Sequence, residues 1–142
     1  MIEVTEVSIA ELRAALESGR TTAVELVKAY LARIDAYDGA DTPTRLNAVV
    51  VRNPDALKEA EASDARRARG ETLSPLDGIP YTAKDSYLVK GLTAASGSPA
   101  FKDLVAQRDA FTVERLRAAG AICLGKTNMP PMANGCLLYT SD

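Results

Sequence analysis

The chain has 142 residues, 46% of them hydrophobic and 25% charged, with a net charge of −2. That is the size and composition of about one packed domain, and the absence of a long single-sign block argues against a nucleic-acid or membrane-surface binder. No apolar run approaches the roughly 18 residues of a membrane-spanning helix, and Met1-Ile2-Glu3-Val4 lacks the basic and apolar regions of a signal peptide, so the expected location is cytoplasmic.

In chain order, Ser8-Ile9-Ala10-Glu11 reads as a capping box that opens a helix, with Ile9, Leu12 and Leu16 at helical spacing and Gly19 placed to end it. Thr22 and Glu25 repeat the box for a second helix, whose apolar face is Leu26, Tyr30, Leu31 and Ile34 and which Gly39 stops. Residues 46–51 are apolar and β-branched, the pattern of a short buried strand. Asn53-Pro54 starts a third helix with proline at its first position, running to Arg69 before Gly70. Its thin alanine-rich face suits a helix lying on a larger body. A loop over 71–78 leads into a strand over 79–83, followed by a long Gly/Ser/Thr-containing stretch over 85–108. Asp109 is placed to cap a helix carrying Phe111, Val113, Leu116 and Ala119, ended by Gly120, and residues 121–124 form another buried strand.

Helices alternating with short apolar strands predict an α/β fold, a mixed sheet covered by helices on both faces. The strands read as continuous apolar runs, as strands buried on both sides do. There is no histidine, which removes a Ser-His-Asp triad and a Cys-His dyad. Acid–base chemistry near neutral pH then falls to Lys, Asp or Glu, and Lys84 stands at the end of a short apolar strand. Desolvation there would bring its amine toward the range where it acts as a base. Cys123 and Cys136 make no disulfide framework, Cys123 reads as a buried thiol, and two cysteines without histidine make a zinc site improbable.

Gly120-Ala121-Ile122-Cys123-Leu124-Gly125-Lys126-Thr127 matches the phosphate-loop pattern letter for letter. The mechanism behind that pattern needs a strand before the loop and a helix after it, so that helix N–H groups face phosphate. Here the order is reversed, and Pro130-Pro131 follow. A nucleotide-binding module is therefore the weaker reading.

Three blocks carry more information together than any alone: Leu76-Asp77-Gly78-Ile79-Pro80 running into Lys84-Asp85; Gly91 through Gly97-Ser98; and Asp109-Ala110 with Val113, Leu116, Ala119-Gly120-Ala121 and Gly125-Lys126-Thr127-Asn128-Met129. On these blocks the chain, from about Ser8 to Gly135, resembles the amidase signature family. The resemblance implies an amidase that hydrolyses a carbon–nitrogen bond by Ser–cis-Ser–Lys catalysis, with Lys84 as the lysine. It implies a small-molecule amide substrate in the complete enzyme and no metal or organic cofactor; the expectation of no nucleic-acid or membrane partner rests on the charge pattern above. In that mechanism the neutral amine takes a proton from a bridging serine, which activates the nucleophilic serine, and backbone N–H groups stabilise the oxyanion. Family members hydrolyse amides or esters, or release ammonia from glutamine for transfer.

The resemblance places Met132, with Ala133 and Asn134, at the substrate pocket; on its own pattern Met132 reads as core filler. Asp85 has two readings, an orienting partner and a strand-end turn former, and Ser98 reads as an ordinary loop serine before proline. No Gly-Gly-Ser-Ser-Gly-like stretch occurs in the 142 residues. Neither family serine maps onto this chain, and Ser96, Ser98 and Ser141 lack the glycine-rich setting. Residues 136–142 depart from the family pattern, so the expectation is an N-terminal fragment of one amidase domain ending in a non-native tail, with a sheet left incomplete and no activity alone. The alternatives are a non-enzymatic chain that binds a partner, and part of the amidase-like subunit of a glutamine-dependent amidotransferase. Oligomeric state is not encoded in these patterns.

Overall fold

The computed structural model of the chain describes residues 3–133. The segment 136–142, with Cys136 and Ser141, and Asn134 lie outside them. The elements are α1 (Ile9–Glu17), α2 (Ala23–Tyr37), β1 (Val49–Arg52), α3 (Ala56–Ala68), β2 (Pro80–Lys84), α4 (Phe111–Ala118) and β3 (Ile122–Thr127), with short 3-10 turns at Pro99–Phe101 and Pro131–Ala133. The strands form one mixed sheet in the order β1-β3-β2, with β3 antiparallel to β1 and parallel to β2. No helix among the described residues is long and apolar enough to cross a membrane.

Both capping boxes form. Ser8 and Glu11 exchange side-chain and backbone bonds at the start of α1, and Thr22 and Glu25 do so for α2. The second helix also gains a cap from a distant residue: the Asp64 carboxylate on α3 accepts the N–H groups of Ala23 at 2.7 Å and Val24 at 3.1 Å. An anion at a helix N-terminus is favoured by the dipole and by the unpaired N–H groups there. The alanine-rich side of α3 is its buried side. Ala56, Ala60 and Ser63 turn inward, and their small volume lets α3 lie close against α2 and β3.

Two apolar clusters pack on opposite faces of the central strand. Ile122 and Leu124 of β3 join Leu12, Leu16, Leu26 and Ile79 under α1 to α3. Cys123 joins Ala83, Val89, Leu92 and Val113 under α4. Helices therefore cover both faces, as the α/β reading expects. Burial on both sides holds along β3 alone; β1 alternates between half-buried and exposed, and β2 is partly open. Each of those outer strands pairs with one neighbour only among the described residues.

Apart from one-residue shifts such as that of β2, element boundaries differ from the sequence expectation at four places. β1 begins at Val49 rather than residue 46, because Arg45 and Asn47 adopt φ of 46° and 49°, a left-handed backbone that cannot continue a strand. The buried Asp38 carboxylate sets the new start by accepting the N–H groups of Ala48 at 2.5 Å and Val49 at 3.0 Å. α3 begins after Pro54, since the Asn53 Oδ1 turns back to accept the Asp55 N–H at 3.0 Å. Asp109 does not cap α4; its carboxylate accepts the Lys90 N–H at 2.7 Å and is held by the Arg117 guanidinium. Finally, β3 continues through Thr127, three residues past the expected end.

A buried carboxylate ties the helical layer to the start of β2. Asp77 is fully buried and accepts from the Ser63 hydroxyl at 2.7 Å, the Leu73 N–H at 2.9 Å, and Arg66 Nη2 and Nε at 2.7 and 3.1 Å. Burial pushes the carboxyl up, but the Arg66 guanidinium and the two other donors outweigh it and hold Asp77 below its ordinary value. Gly120 lies against this group: a Cβ there would sit 2.6 Å from Asp77 Oδ1, at a φ of +85°.

Candidate active site

Because β2 and β3 are parallel neighbours, their C-terminal ends coincide. Ala83 pairs with Lys126 and Lys84 with Thr127. The junction is fixed by the Asp85 N–H donating to the Thr127 carbonyl at 2.9 Å and the Tyr87 N–H donating to the Lys84 carbonyl at 2.8 Å. Carboxyl ends of parallel strands are where open α/β sheets place their ligands. Lys84 is exposed at this edge, the strand turning its last side chain outward, so the desolvation expected from its apolar strand is not supplied by the described residues. It lines a groove of about 250 Å³ together with Tyr81, Thr82 and Tyr87, closed on the α4 side by Thr112, Val113 and Leu116. Burial pushes both the Tyr81 phenol and the Cys123 thiol up, so neither ionises near neutral pH, and Cys123 is the buried free thiol that its apolar run suggests.

Sequence reasoning missed the second lysine at this edge. Lys126 is fully buried. Its Nζ donates to the Thr93 carbonyl at 2.9 Å, the Asp85 carbonyl at 3.2 Å and Asp85 Oδ1 at 3.4 Å. Three acceptors match the three N–H bonds of an ammonium. Burial pulls Lys126 below the ordinary lysine range, and the Asp85 carboxylate opposes that pull. The signal is the phosphate-loop lookalike itself. Extending the apolar strand by three residues carries Lys126 into the interior.

The pattern's other letters also have packing explanations. Gly120 makes room for Asp77, and at Gly125 a Cβ would overlap the Val51 carbonyl oxygen of the neighbouring strand. The residues after Leu124 are strand, not a phosphate-binding turn followed by a helix, so the nucleotide-module reading has no structural basis here.

Asp85 serves both of its readings. It ends the strand, and its carboxylate accepts the Gly97 N–H at 3.2 Å on one oxygen while meeting Lys126 on the other. Ser98 closes a backbone turn through its N–H to the Ala95 carbonyl at 2.9 Å, and shares with Asp85 a shallow groove of about 320 Å³. Met132 is 61% exposed, so it is not core filler; it stands in the 3-10 turn beyond β3, its N–H donating to the Ser96 carbonyl at 2.8 Å. Lys84 thus ends β2 and Met132 lies beyond the end of the adjacent β3, the two linked through the loop that carries Ser96 and Gly97. A larger groove of about 570 Å³ lies away from this edge, around Lys90, Arg108, Asp109 and Glu114; its charges are of both signs, and Asp109 there is already held by Arg117.

The amidase family model matches residues 25–140. The chain is 43% identical over 136 residues to a subunit of the glutamyl-tRNA(Gln) amidotransferase of Thermobifida fusca, covering 95% of this chain and 26% of that protein. It is 44% identical over 137 residues to the corresponding protein of Thioalkalivibrio sulfidiphilus, covering 96% and 27%. Among solved structures, the native peptide amidase of Stenotrophomonas maltophilia superposes with a TM-score of 0.87 at 42% identity, over 92% of this chain and 26% of that one. The chain therefore spans about a quarter of the length of the relatives it matches.

Proposed function

This chain belongs to the amidase family, and from that membership we propose that it supplies the general-base lysine, Lys84, of an enzyme that cleaves a carbon–nitrogen amide bond by Ser–cis-Ser–Lys catalysis. The observation that carries the reading is the contrast between the two lysines at the sheet edge. Lys84 stands open at the end of β2 inside the block Asp77 to Asp85, while Lys126 is committed to three acceptors. A base must accept a proton and therefore needs a free lone pair; of the two, Lys84 is the one placed to offer it.

In this scheme the neutral Lys84 amine takes the proton of the bridging serine. That serine takes the proton of the nucleophilic serine as its oxygen attacks the amide carbonyl. The proton then returns to the departing nitrogen, and water releases the acyl group by the same relay run again. The two serines come from outside these 142 residues. Met132, beyond β3, is proposed to border the substrate. The substrate class is a small molecule bearing an amide.

A second reading has its own observation: two of the relatives above belong to glutamyl-tRNA(Gln) amidotransferases. In that case the same lysine would serve ammonia release from glutamine. Kinetics of the protein that joins this chain to its serine-bearing segment separate the cases. Hydrolysis of simple primary amides supports the amidase reading, and activity confined to glutamine supports the amidotransferase one. Under either, Lys84→Ala removes activity, by at least about 100-fold for loss of a general base, while leaving the fold intact. Near wild-type turnover in Lys84→Ala would refute the assignment.

A further inference from the structure

Lys126 has a geometry that the proposed reaction does not require. Its three acceptors come from two places: the carbonyl and carboxylate of Asp85, the residue directly after Lys84, and the carbonyl of Thr93 in the following loop. Asp85 then reaches the same loop further on, through the Gly97 N–H. The loop in turn touches the segment after β3, where the Ser96 carbonyl accepts the Met132 N–H. One buried ammonium and one buried carboxylate thus join the end of β2, the 93–97 loop and the end of β3.

An ion pair buried this completely is a weak source of net stability, since desolvating both charges offsets their attraction. A packing role alone would be met as well by an apolar residue at 126. What the charges add is direction. Three hydrogen bonds from a single nitrogen fix the Asp85 backbone and carboxylate at once, and so fix the strand end from which Lys84 projects.

We propose that Lys126 and Asp85 are a positioning pair for Lys84, holding the strand end and the 93–97 loop in the one arrangement that presents the Lys84 amine to the reacting serine. The pair does not exchange protons with substrate. The inference rests on the amidase reading for its catalytic meaning, but its physical content, control of Lys84 by a buried charge pair, stands apart from any activity.

The test uses the complete protein containing this chain, with single substitutions Lys126→Met and Asp85→Asn, both close in shape to the originals. The Lys84 side-chain signal is followed by NMR of labelled lysines as a report of its position, and kcat and KM are measured. In both variants the Lys84 signal is expected to move, because the contacts that fix the strand end are lost, while the signals of lysines remote from this edge stay in place.

The kinetic expectation is a loss in kcat of about 10-fold or more in each variant, with KM held within about 3-fold. A displacement confined to Lys84 does not arise from a general loss of structure. If Lys126→Met does not fold, Asp85→Asn decides the matter alone. An unmoved Lys84 signal with an unchanged kcat in Asp85→Asn would overturn the proposal. A displaced Lys84 in a protein whose hydrolysis survives Lys84→Ala would keep the pair and remove the amidase assignment.

Discussion

The two ends of β2 each carry a buried aspartate paired with a cation, and the two pairs are built differently. At the N-terminal end, Asp77 takes two bonds from Arg66, one from Ser63 and one from a backbone N–H, and Arg66 keeps about a quarter of its side chain in water. At the C-terminal end, Lys126 has no exposure and Asp85 almost none, and their contact is a single long one at 3.4 Å supplemented by backbone carbonyls. The first pair is a clamp between α3, the loop before β2 and the turn at Gly120. The second gathers chain segments around an exposed lysine. A forked guanidinium that holds one carboxylate from two directions suits the first task. A point charge with three separable donors suits the second.

Substitutions sharpen the contrast. The largest stability effect is expected at the clamp: Asp77→Ala strands a guanidinium, a hydroxyl and an N–H that had shared one acceptor, and should cost about 3 kcal/mol in denaturant unfolding. Next is Gly120→Ala, which puts a methyl group 2.6 Å from Asp77 Oδ1 at a φ of +85°; a loss of about 2 kcal/mol is expected, without change at the Lys84 edge. Smaller still is Thr22→Ala, which breaks a capping box but leaves the Asp64 cap of α2 in place; about 1 kcal/mol or less is expected. A loss at Thr22 as large as that at Asp77 would show that the clamp is no more than another helix cap.

The pairs also differ in their pH windows. Asp77 is held below its ordinary 3.8 when folded, so its contribution is complete above that value and fades as pH falls through the lowered one. Lys126 is held below its ordinary 10.5, so folding favours its neutral form, and stability from this group rises with pH between the lowered value and 10.5. Equilibrium unfolding across pH should therefore show an acid-side decline that flattens in Asp77→Asn and an alkaline-side rise that disappears in Lys126→Met. An alkaline slope unchanged by Lys126→Met would contradict the burial of its charge.

Much of this fold is legible in the sequence, and the parts that are not share one cause. The capping boxes at Ser8 and Thr22, the apolar run into Lys84 and the alternation of helix and strand depend on residues near one another in the chain, and they form as expected. Asp109 departs from its local pattern because its carboxylate turns to Arg117 and the Lys90 N–H rather than to the helix beside it. β1 is shorter than its apolar run because the Asp38 carboxylate and two left-handed residues fix its start. The role of Lys126 is hidden for the same reason: its acceptors lie 33 and 41 residues away, while the local letters spell a different motif. Position in a local pattern singles out Lys84; only long-range pairing separates it from Lys126.

Chemical rescue tests that separation most directly. In the complete protein, Lys84→Ala should lose hydrolysis and regain part of it on addition of a small primary amine, which can occupy the space of the missing side chain and act as the base. Lys126→Met should show no such recovery, because its defect is one of position rather than of a missing base. Rescue of Lys126→Met by amine with none for Lys84→Ala would reverse the two roles and contradict the account.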